Sequence, residues 1–501
     1  YKMKKKEKIK EWMIKELGVT SDFAVGHPKE MENGDYSSNV ALIEAKKQGK
    51  NPKEIAEEFA KILEKNKLPE IEKIEVAGVG FLNFSLKKEF FADVVSESIK
   101  LGEKFGKNKN LDGQKIIVEY TDPNPFKEFH IGHLMPNVIG EAVSRIISVS
   151  GAEVKRANYQ GDVGLHVAKA VWAMKNGIDL NEAYAKGHKA YEEDENAKLE
   201  IIKINKHIFS RDDEEINRIY DNGRQASLDA FEILYKRLGT KFDFYFFESK
   251  AGFFGKEIVE KNIPEIFEQS DRAVVYKGEI RHSSLHTRVF INKEGLPTYE
   301  AKELGLAKIK YDKYPYDISI IVTGNEINEY FRVLLSAMAQ VFPELAQKTK
   351  HISHGMLRLP EGKMSSRTGN VITAKFLIDE VKKKVLEKIN GRGSMSKTPF
   401  DIENIAEIVA IGAIKYSILH QAIGGDIIFD FDKSLSFEGD SGPYLQYSAV
   451  RARSVLERAQ FSIFNFQFSI PEGWQTTNLE KMIARFPEVV ERAGREYAPH
   501  H

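Results

Sequence analysis

Apolar positions recur at two different periods along this chain, and their alternation orders it. Ile116-Ile117-Val118 is a short, uninterrupted, β-branched run, the pattern of a buried parallel strand. Behind it Leu134, Val138, Ala142, Ile146 and Val149 fall at helical spacing. Strand patterns return at Glu153–Asn158, at the aromatic stretch Phe242–Phe247, which opens a second sheet-forming stretch, and at Ile318–Val322. A helix is predicted from Tyr299, placing Tyr299 and Glu303 one above the other. Strand, turn and helix in repetition predict an α/β fold built on a Rossmann-like doubly wound parallel sheet. Ligands of such sheets bind beyond the carboxyl ends of the strands.

The flanks read differently. Residues 1–109 predict an α+β module. Asn51 caps a helix with Pro52 in its first turn, Ile55, Phe59, Ile62 and Leu63 form its stripe, and 74–84 reads as strand softened by glycines. Gly34–Asn39 is a turn leading into a helix, and Lys104–Gln114 reads as a linker. Residues 110–397 form the sheet domain, with a charged helical insertion at about 175–290. Residues 398–501 predict an all-α domain. Within it Tyr444, Tyr447, Val450, Val455 and Leu456 are expected to pack one helix face, while Arg451, Arg453 and Arg458 line another.

Composition removes some functional classes. Lys+Arg and Asp+Glu are both 74, so bulk charge announces no polyanionic partner, and any nucleic-acid contact must come from local basic faces. With no cysteine, disulfides and thiolate-held zinc are excluded. No apolar stretch approaches the ~20 residues of a membrane span, and the Lys-rich start lacks the apolar segment of a signal peptide.

Two segments carry candidate chemistry. The turn after Glu119 runs through Asn124 and Lys127 to His130-Ile131-Gly132-His133 at a predicted helix start. Its imidazoles either face a phosphate or are a chance string. Lys363-Met364-Ser365-Ser366-Arg367, flanked by glycines, is either a cationic phosphate clamp or an ordinary basic loop. Asp162, in the tight turn 161–164, either caps its own backbone or contacts a ligand.

Taken together, the His-Ile-Gly-His and Lys-Met-Ser-Ser-Arg segments resemble the paired HIGH and KMSKS motifs of class I aminoacyl-tRNA synthetases. Across nearly the whole chain the sequence is similar to the arginyl-tRNA synthetases. Glu119–His133, Gly34–Asn39, Val76–Phe81 and Phe437–Tyr447 carry that likeness in the right order. The resemblance implies activation of L-arginine with ATP to an adenylate, then transfer to the terminal adenosine of tRNA(Arg). It implies His130, His133, Lys127 and Lys363 as catalytic residues. Gly132, Met364, Ser365, Ser366 and Arg367 join them on ATP, in a KMSKS loop at 362–367. Glu119, Asn124, Tyr299, Glu303 and Glu326 would bind arginine, and Tyr36, Asn39, Arg451 and Arg453 tRNA.

Magnesium is expected with the nucleotide, and no zinc. A cytoplasmic monomer without membrane attachment is expected. Departures are Val163 for the family's usual Trp, Glu303 for its usual Asp, and Ser366-Arg367 for the usual Ser-Lys-Ser ending, with Arg367 retaining the charge. The helical domain is also short, which implies either truncation or reduced anticodon recognition. Another class I synthetase and a non-catalytic tRNA-binding paralogue are the alternatives.

Overall fold

The computed structural model describes residues 5–280, 283–359, 372–391, 398–459 and 472–501. It divides into two compact units, Tyr1–Asn110 with Glu457–Arg492, and Leu111–Leu456 with Ala493–His501.

In the first unit a four-stranded antiparallel sheet orders Val25–Gly26, Tyr36–Ser38, Phe81–Leu86 and Ile71–Ala77. The 74–84 stretch is therefore a hairpin rather than one bent strand. Ala77 pairs with Phe81, and the chain reverses through Gly78 and Gly80, both at positive φ. A Cβ on Gly80 would lie 2.8 Å from the Pro52 carbonyl oxygen, so the turn packs on the start of the neighbouring helix. That helix, Pro52–Lys65, begins as expected, with the Asn51 side chain accepting the Lys53 N–H. Ile9, Met13, Val40, Ile55, Leu63, Leu82 and Phe84 close the core.

The second unit is built on five parallel strands. They are β1 (Lys115–Glu119), β2 (Glu153–Gln160), β3 (Phe244–Phe247), β4 (Ile318–Gly324) and β5 (Thr349–His354), in the order β5-β4-β1-β2-β3. The chain winds outward from β1 to β3 and then returns to β4 on the other side of β1. The switch point lies between β1 and β4, where a doubly wound sheet opens its crevice. The aromatic 242–247 stretch supplies the edge strand of this same sheet, through pairs such as Tyr159 with Phe246.

Helix α1 (Ile131–Val149) follows β1. Between β2 and β3 come α2 (Leu165–Lys175), α3 (Leu180–Glu193), α4 (Glu195–Ser210) and α5 (Glu214–Leu238). The first three and the start of α5 share a separate core around Val167, Val171, Ile201, Ile204 and Ile216. Helix α6 (Glu248–Lys261) follows β3, then a small antiparallel sheet of Glu268–Ser270, Ala273–Tyr276 and Arg288–Ile291. The 175–290 segment is thus not wholly helical. Helices α7 (Tyr299–Lys313) and α8 (Asn328–Val341) cover one face of the sheet, and α1, α9 (Ala374–Asn390) and α10 (Pro399–Leu419) cover the other.

Helix α11 (Gly442–Arg458) crosses α10 at glycines, since a Cβ on Gly442 would meet the Gly412 carbonyl oxygen at 2.4 Å. The apolar face expected to pack does not. Only Gly442 and Pro443 of this helix are buried, while Val450 and Val455 are 58% and 65% exposed. Its contacts lie near its start: Gln446 donates to the Ile408 carbonyl at 3.2 Å, and the Tyr447 ring meets Phe437. Among the described residues no helix is long and apolar enough to cross a membrane.

Candidate active site

The turn leaving β1 is held in conformations that side chains ordinarily avoid. Thr121, Asp122 and Phe126 all have positive φ, at 87°, 44° and 70°. For a β-branched threonine this is an outlier that surrounding contacts must enforce. Asn137 of α1 donates to the Thr121 hydroxyl at 3.0 Å, and the Phe126 N–H donates to Ser227 of α5 at 2.9 Å. Phe126 also lies on Gly223, where a Cβ would come within 2.4 Å of its ring. Helices α1 and α5 thereby pin the turn, and it delivers His130 to the start of α1.

His130 caps that helix. Its Nδ1 accepts the Gly132 N–H at 3.0 Å, so the neutral ring carries its proton on Nε2. A Cβ on Gly132 would stand 2.8 Å from Nδ1 and Cε1 of this ring, which explains the glycine in sterics alone. His133 stacks on His130 with ring centroids 3.8 Å apart, and its buried Nδ1 has no hydrogen-bond partner among the described residues. Burial first, then the Lys127 charge, holds His130 below the ordinary imidazole range. Burial, His130 and Lys127 hold His133 well below it. Both rings are neutral donors at physiological pH.

Lys127 is itself lowered by burial, with Glu248 opposing, and its Nζ sits 4.6 Å from the Tyr184 ring of α3. Lys363, Met364, Ser365, Ser366 and Arg367 lie outside the described residues. The chain that follows them returns to the histidines: Thr373 bridges His130, and the Ile131 N–H donates to Ile372 at 3.0 Å.

Beside the histidines lies a cluster of carboxylates. Buried Glu119 ends β1 and pairs with Lys310 of α7 at 2.7 Å. Glu248 starts α6 and pairs with Lys302 at 2.6 Å, both buried. Glu300 takes Arg288 at 3.2 Å. Asp122 and Glu303 have no ion pair among the described residues. Burial and then the Glu119 charge raise Asp122 well above the carboxylate range, even though it accepts the Tyr159 N–H at 2.8 Å. The same two causes, reinforced by Glu248 and Glu300, push Glu303 up to about 8. The Tyr159 hydroxyl is buried without a hydrogen-bond partner among the described residues, and burial, then the Glu248 and Glu303 charges, raise it well above its ordinary range. Tyr299 stands one turn before Glu303, half-exposed, with Lys302 Nζ 4.9 Å from its ring. The pocket thus holds three ion pairs and two buried carboxyls that have no ion-pair partner among the described residues.

The other expected residues are placed variously. Asn124 faces this pocket across Gly161, where a Cβ would lie 2.2 Å from its Oδ1. Glu326, beyond β4, is exposed and folds back over Gly324, the residue ending that strand. In the first unit Tyr36 is buried and donates to Glu488 at 2.6 Å, while Asn39 accepts the Ala24 N–H at 2.8 Å, so both side chains have internal partners. Arg451 and Arg453 are exposed on α11. Asp162 does more than cap its own turn. It is fully buried and accepts the Ser249 N–H and hydroxyl, Arg224 Nε and the Tyr220 hydroxyl, tying α5 and α6 to the sheet edge. Val163 is buried, and its carbonyl faces Lys302 Nζ at 3.5 Å.

The parallel sheet with the stacked histidine pair at its switch point is the catalytic domain of a class I aminoacyl-tRNA synthetase. The model of the class I (R) tRNA synthetase catalytic domain matches residues 95–431, and that of the arginyl-tRNA synthetase N-terminal domain matches 4–86. The arginine–tRNA ligase of Borrelia hermsii is 31% identical over 447 residues, covering 84% of this chain and 75% of that protein. The arginine–tRNA ligase of Treponema denticola is 29% identical over 496 residues, 94% of this chain and 84% of that one. The chain belongs to the arginyl-tRNA synthetase family. Its fold is that of the Thermus thermophilus arginyl-tRNA synthetase, with a TM-score of 0.76 at 24% identity over 99% of this chain and 88% of the other. The Plasmodium falciparum arginyl-tRNA synthetase gives 0.78 at 20%, over 99% and 89%.

Proposed function

We infer that this chain activates L-arginine with ATP, releasing pyrophosphate, and transfers the arginyl group to the terminal adenosine of tRNA(Arg). The observation that carries the choice of amino acid is the carboxylate cluster. Asp122 and Glu303, raised by burial and by Glu119, have no ion-pair partner among the described residues and lie beside a histidine pair suited to phosphate oxygens. A guanidinium supplies a delocalised charge and a planar fork of donors, and a shorter or neutral side chain leaves these acceptors unpaired.

In the proposed reaction the arginine carboxylate attacks the α-phosphorus of ATP, and the bond to the bridging oxygen of pyrophosphate breaks. Charge gathers on the phosphoryl oxygens, where donors already in place contribute most of the rate. His130 offers Nε2–H, with His133 stacked behind it, and Gly132 lets the nucleotide approach the helix start. Lys363, Ser365, Ser366 and Arg367, with Met364, are proposed on the leaving pyrophosphate, and Lys127 as a further cation near the reacting carboxylate. Glu119, Asn124, Tyr299 and Glu303 are proposed around arginine, with Glu326 at the rim. Magnesium is proposed to arrive with the nucleotide's phosphates. Among the described residues no group of three or more acidic, histidine or cysteine side chains could hold a metal alone.

For tRNA, Arg451 and Arg453 are proposed as contacts because they are exposed. Tyr36 and Asn39 are proposed as supports of the first unit's binding surface, given their internal partners. Pyrophosphate exchange measured with each amino acid in the presence of tRNA tests the reading. Exchange is expected with arginine, and exchange with another amino acid in its place would overturn it.

A further inference from the structure

We propose that Tyr184, on helix α3 of the insertion, is the positioning residue for Lys127, holding the ammonium against the face of its ring without neutralising it. The assignment rests on the reading of Lys127 as a cation beside the reacting groups. Lys127 Nζ sits 4.6 Å from the centre of the Tyr184 ring and makes no ion pair or hydrogen bond among the described residues. Neighbouring lysines are held differently: Lys302 and Lys310 each lie on a buried carboxylate, at 2.6 and 2.7 Å. An ammonium on a carboxylate has its charge cancelled and its donors occupied. One over an aromatic face is attracted by the ring quadrupole and keeps both. Lys127 is thereby held with its charge still available to a phosphoryl oxygen.

The insertion fixes the ring independently of Lys127. Tyr184 and Gly187 lie three residues apart on one face of α3. There α3 packs on α2 so closely that a Cβ on Gly187 would stand 1.9 Å from the Lys169 carbonyl oxygen. One turn beyond Tyr184, His188 stacks parallel to its ring, with centroids 6.0 Å apart and 3° between the planes. His188 Nδ1 in turn meets Lys169 Nζ at 2.9 Å. The chain on the other side of the contact is tied to the same helices. Phe126, the residue before Lys127, is buried in the core that α2, α3 and α4 share, and Tyr184 packs against that core. Both partners are therefore carried by one packed unit. The Tyr184 hydroxyl makes no hydrogen bond among the described residues, so the ring rather than the phenol carries the effect.

Pyrophosphate exchange by the full chain, with arginine, ATP and tRNA, tests the assignment. Tyr184→Leu keeps apolar bulk and removes the π face. It is expected to lower kcat about three- to thirtyfold, with KM for arginine and for ATP changed by less than about twofold. Tyr184→Phe, which restores the ring, should return the rate to within about twofold of the parent. Phenylalanines carrying progressively more ring fluorines at this position keep the shape while cancelling the quadrupole, and the rate should fall with each fluorine added. In a Lys127→Ala background, itself slower than the parent, Tyr184→Leu should cost no further rate, because its effect passes through the lysine. A flat response to fluorination, or an undiminished Tyr184→Leu loss with the lysine removed, would overturn the assignment and leave Tyr184 as packing. If Tyr184→Leu does not fold, the fluorinated series, which preserves the packing, decides alone. Exchange unaffected by Lys127→Ala would overturn the reading of Lys127, and this assignment with it.

Discussion

Replacing Glu303 by glutamine should improve folding and damage substrate binding at once. The carboxyl is pushed up to about 8 by burial and by Glu119, from an ordinary value of 4.5. A carboxyl whose folded-state value exceeds its unfolded one favours folding while it is protonated. Its ionisation therefore costs stability as pH rises from 4.5 toward 8. At about 1.4 kcal/mol per unit the full cost at pH 7 would be roughly 3 kcal/mol, and solvent screening at a partly exposed position reduces it to on the order of 1–3 kcal/mol. Glu303→Gln should recover that amount in urea unfolding of the free protein at pH 7. Arginine must draw the proton off to pair with the carboxylate. Its affinity should therefore rise about tenfold per pH unit below 8, and binding at pH 7 should release close to one proton. Calorimetry in buffers of different ionisation enthalpy reads that proton directly. The variant should lose about 2–5 kcal/mol of arginine binding, together with the proton release. A variant that binds arginine like the parent, or a parent that binds without releasing a proton, would refute the reasoning.

Gly132→Ala brings a methyl within 2.8 Å of the His130 ring. It should slow pyrophosphate exchange about a hundredfold, with arginine binding by calorimetry little changed. Gly140→Ala places its methyl 2.2 Å from Tyr120 Cγ, so urea unfolding should show a loss of at least about 1–3 kcal/mol. Lys310→Met strands buried Glu119 and should cost about 3–5 kcal/mol, much of it returned by adding Glu119→Gln, a coupling that a double-mutant cycle measures. Burial holds His166 at about 3 and His351 at about 4, below their unfolded value of 6.5. Their contribution is complete above pH 6.5 and is lost as pH falls, so stability should decline between about pH 6 and 4 beyond what carboxylate titration alone explains.

The catalytic frame was legible because period and chemistry coincide in it. An apolar run of strand length, a proline-rich turn and a helical stripe place His130 at a strand's carboxyl end without further information. Glu119 was readable as a charge closing an apolar strand. Its partner Lys310 was not, because the two meet only through the register of β1, β4 and the helix before β4, 191 residues apart. Glu248 carried the same signal as Glu119, a charge directly after a strand. It was hidden because the run Phe242–Phe247 reads as aromatic core with no indication that it joins this sheet as its edge. Periodicity also misled at α11: the spacing of Tyr444, Val450 and Val455 defines an apolar face but says nothing about what covers it. Asp162 appeared to be a local turn residue because its four donors come from Tyr220, Arg224 and Ser249, 58 to 87 residues away.

The central claim is that an acidic pocket beside a stacked histidine pair makes this chain selective for arginine in charging tRNA. The most direct measurement offers all twenty amino acids together with ATP and tRNA, digests the charged tRNA with nuclease, and identifies the aminoacyl-adenosine by mass. Arginyl-adenosine alone is predicted. A different aminoacyl-adenosine, or none while tRNA remains bound, would contradict the account.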